Sequence, residues 1–221
     1  MKKKFLIHKL VLALPILIFM AVYMAWFGAV EKADFAGCTE IHTFLDDKIP
    51  FCEYFIIPYL LWFGYVAVGV VYQLFADEKT FKELCGVLMS GMFVFLIVST
   101  MFPNILFLRP EEMPRDNVFC HMVEGLYKTD TPTNVMPSIH VFNTLAVLFS
   151  VFRSQGKLAG NFWVRTGCVI LSVSIILATM FLKQHSVLDV TGAIIMFTVF
   201  QTVFAKIFEP ESSERKALAT A

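Results

Sequence analysis

Six long apolar segments constrain this chain more than any other feature of its sequence. A segment of roughly 20 apolar residues can cross the hydrocarbon layer of a membrane, which is about 30 Å thick. Of the 221 residues, 57% are hydrophobic and 16% are charged, which leaves too little polar surface to cover six buried helices in a soluble core. The segments are interpreted as membrane spans at residues 10–30, 54–76, 84–108, 138–153, 164–182 and 187–208.

The length and continuity of these segments decide which kind of membrane protein they predict. Backbone polar groups in lipid must be satisfied within the protein, so spans are helices or closed barrels. The segments do not alternate as the roughly ten-residue strands of a barrel do. The predicted fold class is therefore an all-α integral membrane bundle of six transmembrane helices, forming one domain over residues 1–221. The fourth segment is short, so its N-terminal end is expected to extend into the preceding loop.

Lysine and arginine predict the orientation, because cytoplasmic loops are enriched in these residues. With both termini cytoplasmic, as an even number of spans requires, twelve of the 18 basic residues lie inside and six outside. The inner residues are Lys2, Lys3, Lys4, Lys9, Lys79, Lys82, Arg153, Lys157, Arg165, Lys206, Arg215 and Lys216. The outer residues are Lys32, Lys48, Arg109, Arg115, Lys128 and Lys183. The predicted location is the cell membrane, with the long 109–137 loop outside the cytoplasm.

Composition and cysteine spacing bear on three further properties, which are a nucleic-acid partner, a metal site and disulfide bonds. A formal net charge of +0 argues against a nucleic-acid partner, since such proteins usually have a basic excess. Cysteine and histidine do not occur at the close paired spacing of a zinc site, so no metal is expected. Cys38, Cys52 and Cys120 lie on the predicted outer side, where disulfides form, but the sequence does not select a pair. Residues 31–53 form either an amphipathic interfacial helix or a solvated loop.

One candidate site segment is residues 131–140, which lead into the fourth span. Pro137 and Ser138 are typical of a helix start, and His140 follows in the first turn. Free N–H groups and the positive end of the helix dipole make such a start suitable for a phosphate. The structural alternative is a capped helix with an interfacial histidine.

A second candidate segment is residues 183–189, which lead into the sixth span. His185 and Asp189 are four residues apart, so on a helix they share one face. An aspartate in this position can accept a hydrogen bond from one imidazole nitrogen and leave the other free to attack. The structural alternative is an interfacial ion pair that caps the helix.

Together these segments suggest phosphoryl transfer through a phosphohistidine. His185 would attack phosphorus, Asp189 would orient its ring, and His140 would protonate the leaving oxygen as a general acid. Charge that develops on the phosphate requires nearby positive groups. Arg109, at the outer end of the third span, is the best candidate for this role.

Three motifs resemble a known family. Arg109-Pro110, the run Pro137-Ser138-Ile139-His140, and His185 with Asp189 are similar to the signature motifs of the type 2 phosphatidic acid phosphatase superfamily. The resemblance implies six spans and removal or transfer of a phosphoryl group on a lipid without metal or cofactor. It also implies that His185 is the nucleophile, His140 the acid and Arg109 a phosphate ligand. The candidate substrate-binding residues are Arg109, Ser138, Lys183 and Asn134.

The chain departs from the family pattern at positions that bear on phosphate binding. Phe102 stands where the first motif usually has lysine, and Thr179 stands where the third usually has arginine. Ile139 replaces the usual glycine of the second motif, as Ala178 replaces the usual serine of the third. These differences look more like the branch near inositol-phosphorylceramide and sphingomyelin synthases. The candidate substitutes for the two missing cations are Lys183, Arg115 and Lys128.

The sequence leaves four functions to compare. The first is a membrane lipid phosphatase acting on a phosphatidic acid-like lipid or a prenyl diphosphate. The second is a transferase that uses the same site to pass a phospho-headgroup to a lipid acceptor. The third is a small transporter with His and Asp along a proton path, which the shortage of charge at mid-depth disfavours. The fourth is a structural membrane protein without activity.

Overall fold

Seven α-helices form nearly all of the regular structure in the computed structural model, which describes residues 2–32 and 37–209. They are α1 (Lys2–Val30), α2 (Ile56–Ala76), α3 (Glu78–Met101), α4 (Val118–Thr129), α5 (Ile139–Arg153), α6 (Phe162–Phe181) and α7 (Val187–Ile207). Two short strands, β1 (Thr39–Glu40) and β2 (Asn104–Ile105), pair in parallel. Single 3-10 turns occupy Asp46–Lys48 and Glu53–Phe55.

Five of these helices are long and apolar enough to cross a membrane. They are α1, α2 with the turn before it, α3, α6 and α7. The prediction of an all-helical chain with apolar, membrane-length helices is confirmed at this level. Arg215 and Lys216, which the sequence places on the inner side, lie outside the described residues.

Helix α5 is the centre of the bundle, although it is the shortest of the six apolar helices. It packs against α2, α3, α6 and α7, and its buried Val141, Phe142 and Val147 belong to the main hydrophobic core. The expected N-terminal extension is wrong. Pro137 precedes the helix, and the Ser138 side chain accepts a hydrogen bond from the Val141 N–H, so α5 begins at Ile139. Its 15 residues span only about 22 Å.

The segments predicted to lie outside differ from the sequence prediction in two places. Helix α3 ends at Met101 rather than near 108, two residues before Pro103, and the chain continues as β2. Helix α4 forms inside the predicted 109–137 loop, with the Asn117 side chain accepting from the Cys120 N–H. Residues 37–53 contain β1, the Asp46–Lys48 turn and the first residue of the Glu53–Phe55 turn but no α-helix, which fits the loop alternative. Phe35 lies outside the described residues. All five cysteines of the chain are free.

Close contact between α3 and α5 depends on one glycine. A Cβ atom on Gly91 would overlap the ring of Phe142, which is fully buried. We therefore expect Gly91→Ala to destabilise the fold by about 1–3 kcal/mol, because the core has no space for the added methyl group. The matched control is Gly64→Ala on α2, where a Cβ meets no atom within 4 Å. Thermal unfolding in detergent micelles measures both variants, and equal Tm values would contradict this account of the packing.

Candidate functional site

The two segments singled out in the sequence meet in the structure. His140, in the first turn of α5, places Nδ1 3.3 Å from Nε2 of His185. On the other side of that ring, His185 Nδ1 lies 3.3 Å from Asp189 Oδ2. The Ser138 N–H donates to the Asp189 carbonyl at 3.3 Å, which joins the start of α5 to the start of α7. The structure thus brings His140, His185 and Asp189 into one hydrogen-bonded row.

A tight turn between α6 and α7 sets the position of His185. The N–H groups of Gln184 and His185 both donate to the Thr179 carbonyl, at 2.9 and 3.0 Å, and so close the end of α6. Ser186 then begins α7 in a capping box, with its N–H donating to Asp189 Oδ2 at 2.8 Å. The same carboxylate oxygen is therefore the helix cap and the partner of the imidazole. The capping and functional interpretations of Asp189 are compatible.

Asp46 is a buried residue of this site that the sequence interpretation missed. Its Oδ2 accepts from the Ser186 hydroxyl at 2.6 Å, and its Oδ1 accepts from the Val187 N–H at 2.8 Å. The Thr43 N–H and hydroxyl also donate to Oδ2, at 2.7 and 2.9 Å. Burial alone would raise the pKa of Asp46, but these hydrogen bonds outweigh it and hold the pKa below its usual value. No local pattern connects Asp46 with a segment 140 residues away.

Lys183 faces the same loop and not the histidines. Its Nζ donates to the backbone carbonyls of Asp46, at 2.8 Å, and Ile49, at 2.5 Å. Burial lowers its pKa, while the nearby Asp46 and Asp47 act in the opposite direction. Its backbone is left-handed, with φ of 54°, as the turn requires. The geometry therefore gives Lys183 a role in holding the 46–49 loop, and it offers no support for substrate binding by this residue.

The guanidinium of Arg109 contacts Gln184, the residue before His185, and not the histidines themselves. Its Nη2 donates to Gln184 Oε1 at 2.6 Å and to the Asp130 carbonyl at 2.7 Å, and Nη1 donates to the Tyr127 carbonyl at 3.2 Å. The group also lies 4.4 Å from the centre of the Tyr127 ring. Burial lowers the pKa of Arg109. Arg109 therefore reaches the neighbourhood of His185 through the Gln184 side chain.

Neither of the other proposed substitute cations lies beside the histidines. Arg115 makes two 2.6 Å hydrogen bonds to the carboxylate of Glu53, which is fully buried. Lys128 is an exposed residue in the last turn of α4. The expectation that Arg115 or Lys128 replaces a missing phosphate ligand finds no support in the geometry.

His140 and His185 lie at the polar end of a cavity of about 920 Å³. Helices α1, α2 and α3 form its mainly apolar walls, and α4 covers it with Met122 and Leu126. Trp62 fixes His140 from the α2 side: its indole N–H donates to the His140 carbonyl at 3.1 Å, and the two rings are 4.3 Å apart. The site is thus continuous with an apolar space between helices of membrane length.

Asn134 and Ser138 have different positions at this end of the cavity. Asn134 lines it, in a left-handed conformation with φ of 54° that asparagine tolerates. Buried Asn104 holds the segment in place, since its Oδ1 accepts from the N–H groups of Val135 and Met136 at 2.8 and 3.0 Å. The hydroxyl of Ser138 is the cap of α5 and is fully buried. The structure therefore brings Asn134 to the cavity and leaves Ser138 as a structural residue.

The Asp46 contacts generate a stability prediction. Asp46→Asn should lower stability by about 1–3 kcal/mol, because an amide cannot accept all the hydrogen bonds that reach the carboxylate. Since the pKa of Asp46 is lower in the folded chain, its contribution is present at neutral pH and is lost as the pH falls through the folded-state pKa, which lies under the usual value of an aspartate. Thermal unfolding at several pH values tests this. The control is Asp47→Asn, whose side chain is 64% exposed and pairs with His42; equal effects would contradict the assignment.

No family model, curated protein or solved structure matches this chain. Within the described ranges, no group of three or more His, Cys, Asp and Glu side chains is arranged to hold a metal ion. The site consists of two imidazoles and a carboxylate in a row, at the polar end of an apolar cavity.

Proposed function

We propose that this chain is an integral membrane enzyme that cleaves a phosphate ester of a lipid through a phosphohistidine at His185. The observation that carries the proposal is the row from His140 through His185 to Asp189 at the polar end of the cavity. An imidazole supported by a carboxylate and faced by a second imidazole has the parts needed for nucleophilic and acid–base catalysis. The apolar walls suit the acyl or prenyl chains of a lipid.

In the first step, His185 forms the covalent bond. Asp189 Oδ2 accepts from Nδ1–H of His185, so the lone pair of Nε2 lies on the opposite side of the ring, which faces His140. Nε2 attacks phosphorus, the P–O bond to the lipid alcohol breaks, and a P–N bond forms. His140, once protonated, donates this proton to the departing oxygen, and the free alcohol leaves.

In the second step, an acceptor oxygen releases the phosphate. Water or a lipid hydroxyl attacks phosphorus on the phosphohistidine and gives its proton to His140. The P–N bond breaks, and His185 returns to its neutral form. With water, the enzyme is a lipid phosphatase; with a lipid hydroxyl, it is a phospho-headgroup transferase.

A specific observation favours the transferase as the second candidate. The side chain of His185 is only 8% exposed, and the space beside it has mainly apolar walls contributed by α1, α2 and α3. A lipid hydroxyl can approach through such a space, whereas an apolar space is unfavourable for water.

The proposed topology has six spans, both termini in the cytoplasm and the histidines at the extracytoplasmic face of the cell membrane. Helix α5 is shorter than the usual span, but it packs against four other helices and does not require a full lipid-facing length. The lysine and arginine distribution supports this orientation. The ionisable residues of the site gather at one end of the bundle, which supports an enzyme over a transporter with a proton path.

Replacement of the nucleophile tests the mechanism. His185→Ala should abolish turnover and the acid-labile label that a lipid with a radioactive phosphorus leaves on the protein, because His185 Nε2 is the atom that forms the P–N bond in the proposed mechanism. His140→Ala should slow turnover by about 10²–10⁴-fold, the usual contribution of a general acid. His121→Ala is the control, since its side chain is 62% exposed and pairs with Asp116 and Glu124. Labelling of His185→Ala at the wild-type level would refute the assignment.

The products distinguish the two acceptors. Purified protein is offered phosphatidic acid, a prenyl diphosphate, or a phospholipid together with diacylglycerol carrying different acyl chains. Release of the water-soluble phosphate compound indicates hydrolysis, and a phospholipid with the acceptor's acyl chains indicates transfer. Failure to cleave any lipid phosphate ester would overturn the proposed function.

A further inference from the structure

In the proposed mechanism, His140 has to carry a proton at a position that disfavours a charge. Within the described residues, the only side chain hydrogen-bonded to its ring is a second imidazole, that of His185, at 3.3 Å. The carboxylate of Asp189 lies on the other side of His185, at its Nδ1 atom. The space around the two imidazoles has mainly apolar walls, and burial without a counter-charge penalises an ionised group. Groups other than a hydrogen-bonded carboxylate therefore have to stabilise the imidazolium of His140.

Two aromatic side chains of α2 lie against the His140 ring. Tyr59 and Trp62 are three residues apart, so they share one face of the helix. The centre of the His140 ring lies 4.7 Å from that of Tyr59 and 4.3 Å from that of Trp62, with the planes tilted by 35° and 50°. The face of an aromatic ring attracts a cation within about 6 Å of its centre, and tryptophan does so most strongly. Both rings are therefore close enough to stabilise a protonated His140.

Hydrogen bonds hold both aromatic rings in this position. The indole N–H of Trp62 donates to the His140 carbonyl at 3.1 Å, which ties the ring to the first turn of α5. The hydroxyl of Tyr59, a buried residue, donates to Asp130 Oδ2 at 2.8 Å. Arg109 Nη2 in turn donates to the Asp130 carbonyl at 2.7 Å. A phenol that donates to a carboxylate is polarised and becomes richer in electrons, which strengthens its attraction for a cation.

We infer that Tyr59 and Trp62 are positioning residues that stabilise the protonated form of His140 through the faces of their rings. The inference rests on the proposed function, for which it names the groups that keep the general acid charged. With either ring removed, His140 loses its proton at a lower pH, and a smaller fraction of the protein carries the proton that the departing alcohol needs.

Carboxylates and a second imidazole also face this space. His185 contacts the ring of His140, and Glu31 and Asp130 line the same cavity, from the residue after α1 and the residue after α4. None of these three groups is replaced in the variants that test the inference. A change in the pH dependence of the variants therefore reports on the aromatic rings.

The pH dependence of the first step tests the inference. Phosphatidic acid and phosphatidylcholine both release diacylglycerol, which needs a proton to depart, and the lipid that the wild-type protein cleaves faster is used. The rate of this release in a single turnover falls at alkaline pH, where His140 is no longer protonated. In Trp62→Leu the fall should begin at a pH about 0.5–1.5 lower, which slows release about 3–30-fold on the alkaline side. Trp163→Leu is the matched control and should leave the profile unchanged, since this residue is 77% exposed in the first turn of α6.

Two results would contradict this role of the rings. A pH profile of Trp62→Leu that coincides with that of the wild-type protein overturns the inference and leaves the proposed function standing. Absence of diacylglycerol with the wild-type protein overturns the inference, and the proposed function falls with it if the prenyl diphosphate is not cleaved either. Should Trp62→Leu fail to fold, Trp62→Phe retains a ring that attracts cations less strongly, and its profile must move in the same direction by a smaller amount.

A double variant distinguishes support of His140 from general damage to the cavity. Residues that act through one group have non-additive effects. In a protein that already carries His140→Ala, Trp62→Leu should therefore slow release less than twofold, because no imidazolium remains to be stabilised. The same slowing with and without His140 would mean that Trp62 acts independently of the general acid, and it would overturn the inference.

Discussion

The start of α7 is the point on which the rest of the site depends. The first N–H groups of a helix have no partner within it, and in an apolar bundle they require acceptors from the protein. Asp189, Ser186 and Asp46 supply these acceptors. The contact that caps the helix through Asp189 also orients His185, so the chain cannot begin α7 in this way without aligning the imidazole. One carboxylate therefore both stabilises the start of α7 and orients His185.

The position of His140 follows from the short length of α5. A capped helix of 15 residues, about 22 Å long, does not reach as far as its membrane-length neighbours. The space beyond its N-terminus is filled by the 131–138 segment, which buried Asn104 fixes through two backbone N–H groups. His140 therefore lies at the boundary between a polar layer and the apolar cavity, where the proposed lipid would place its phosphate.

Much of the fold could be predicted from composition and spacing, because hydropathy and the four-residue interval between His185 and Asp189 are local properties. The Asp46 and Lys183 contacts could not, since they join segments more than 130 residues apart. Helix α4 was missed because its 12 residues lie in a polar stretch without the length of a span. The contact between Glu31 and Asn134 could not be predicted either, and the reason is the same as for the Asp46 contacts. Only the folded chain places the end of α1 beside the 131–134 segment. The sequence thus indicated the three residues of the hydrogen-bonded row, and the residues that position them required the structure.

Arg109 influences the neighbourhood of His185 through Gln184 and not by direct contact. Arg109 Nη2 donates to Gln184 Oε1, which holds the amide in one orientation. Gln184 lines the cavity beside His185, and its buried Nε2 has no hydrogen-bond partner among the described residues. No lysine or arginine is among the described residues of the cavity wall. The positive charge of Arg109 would therefore act on the proposed phosphate only through a neutral amide, which attracts an anion less strongly than a guanidinium in direct contact would.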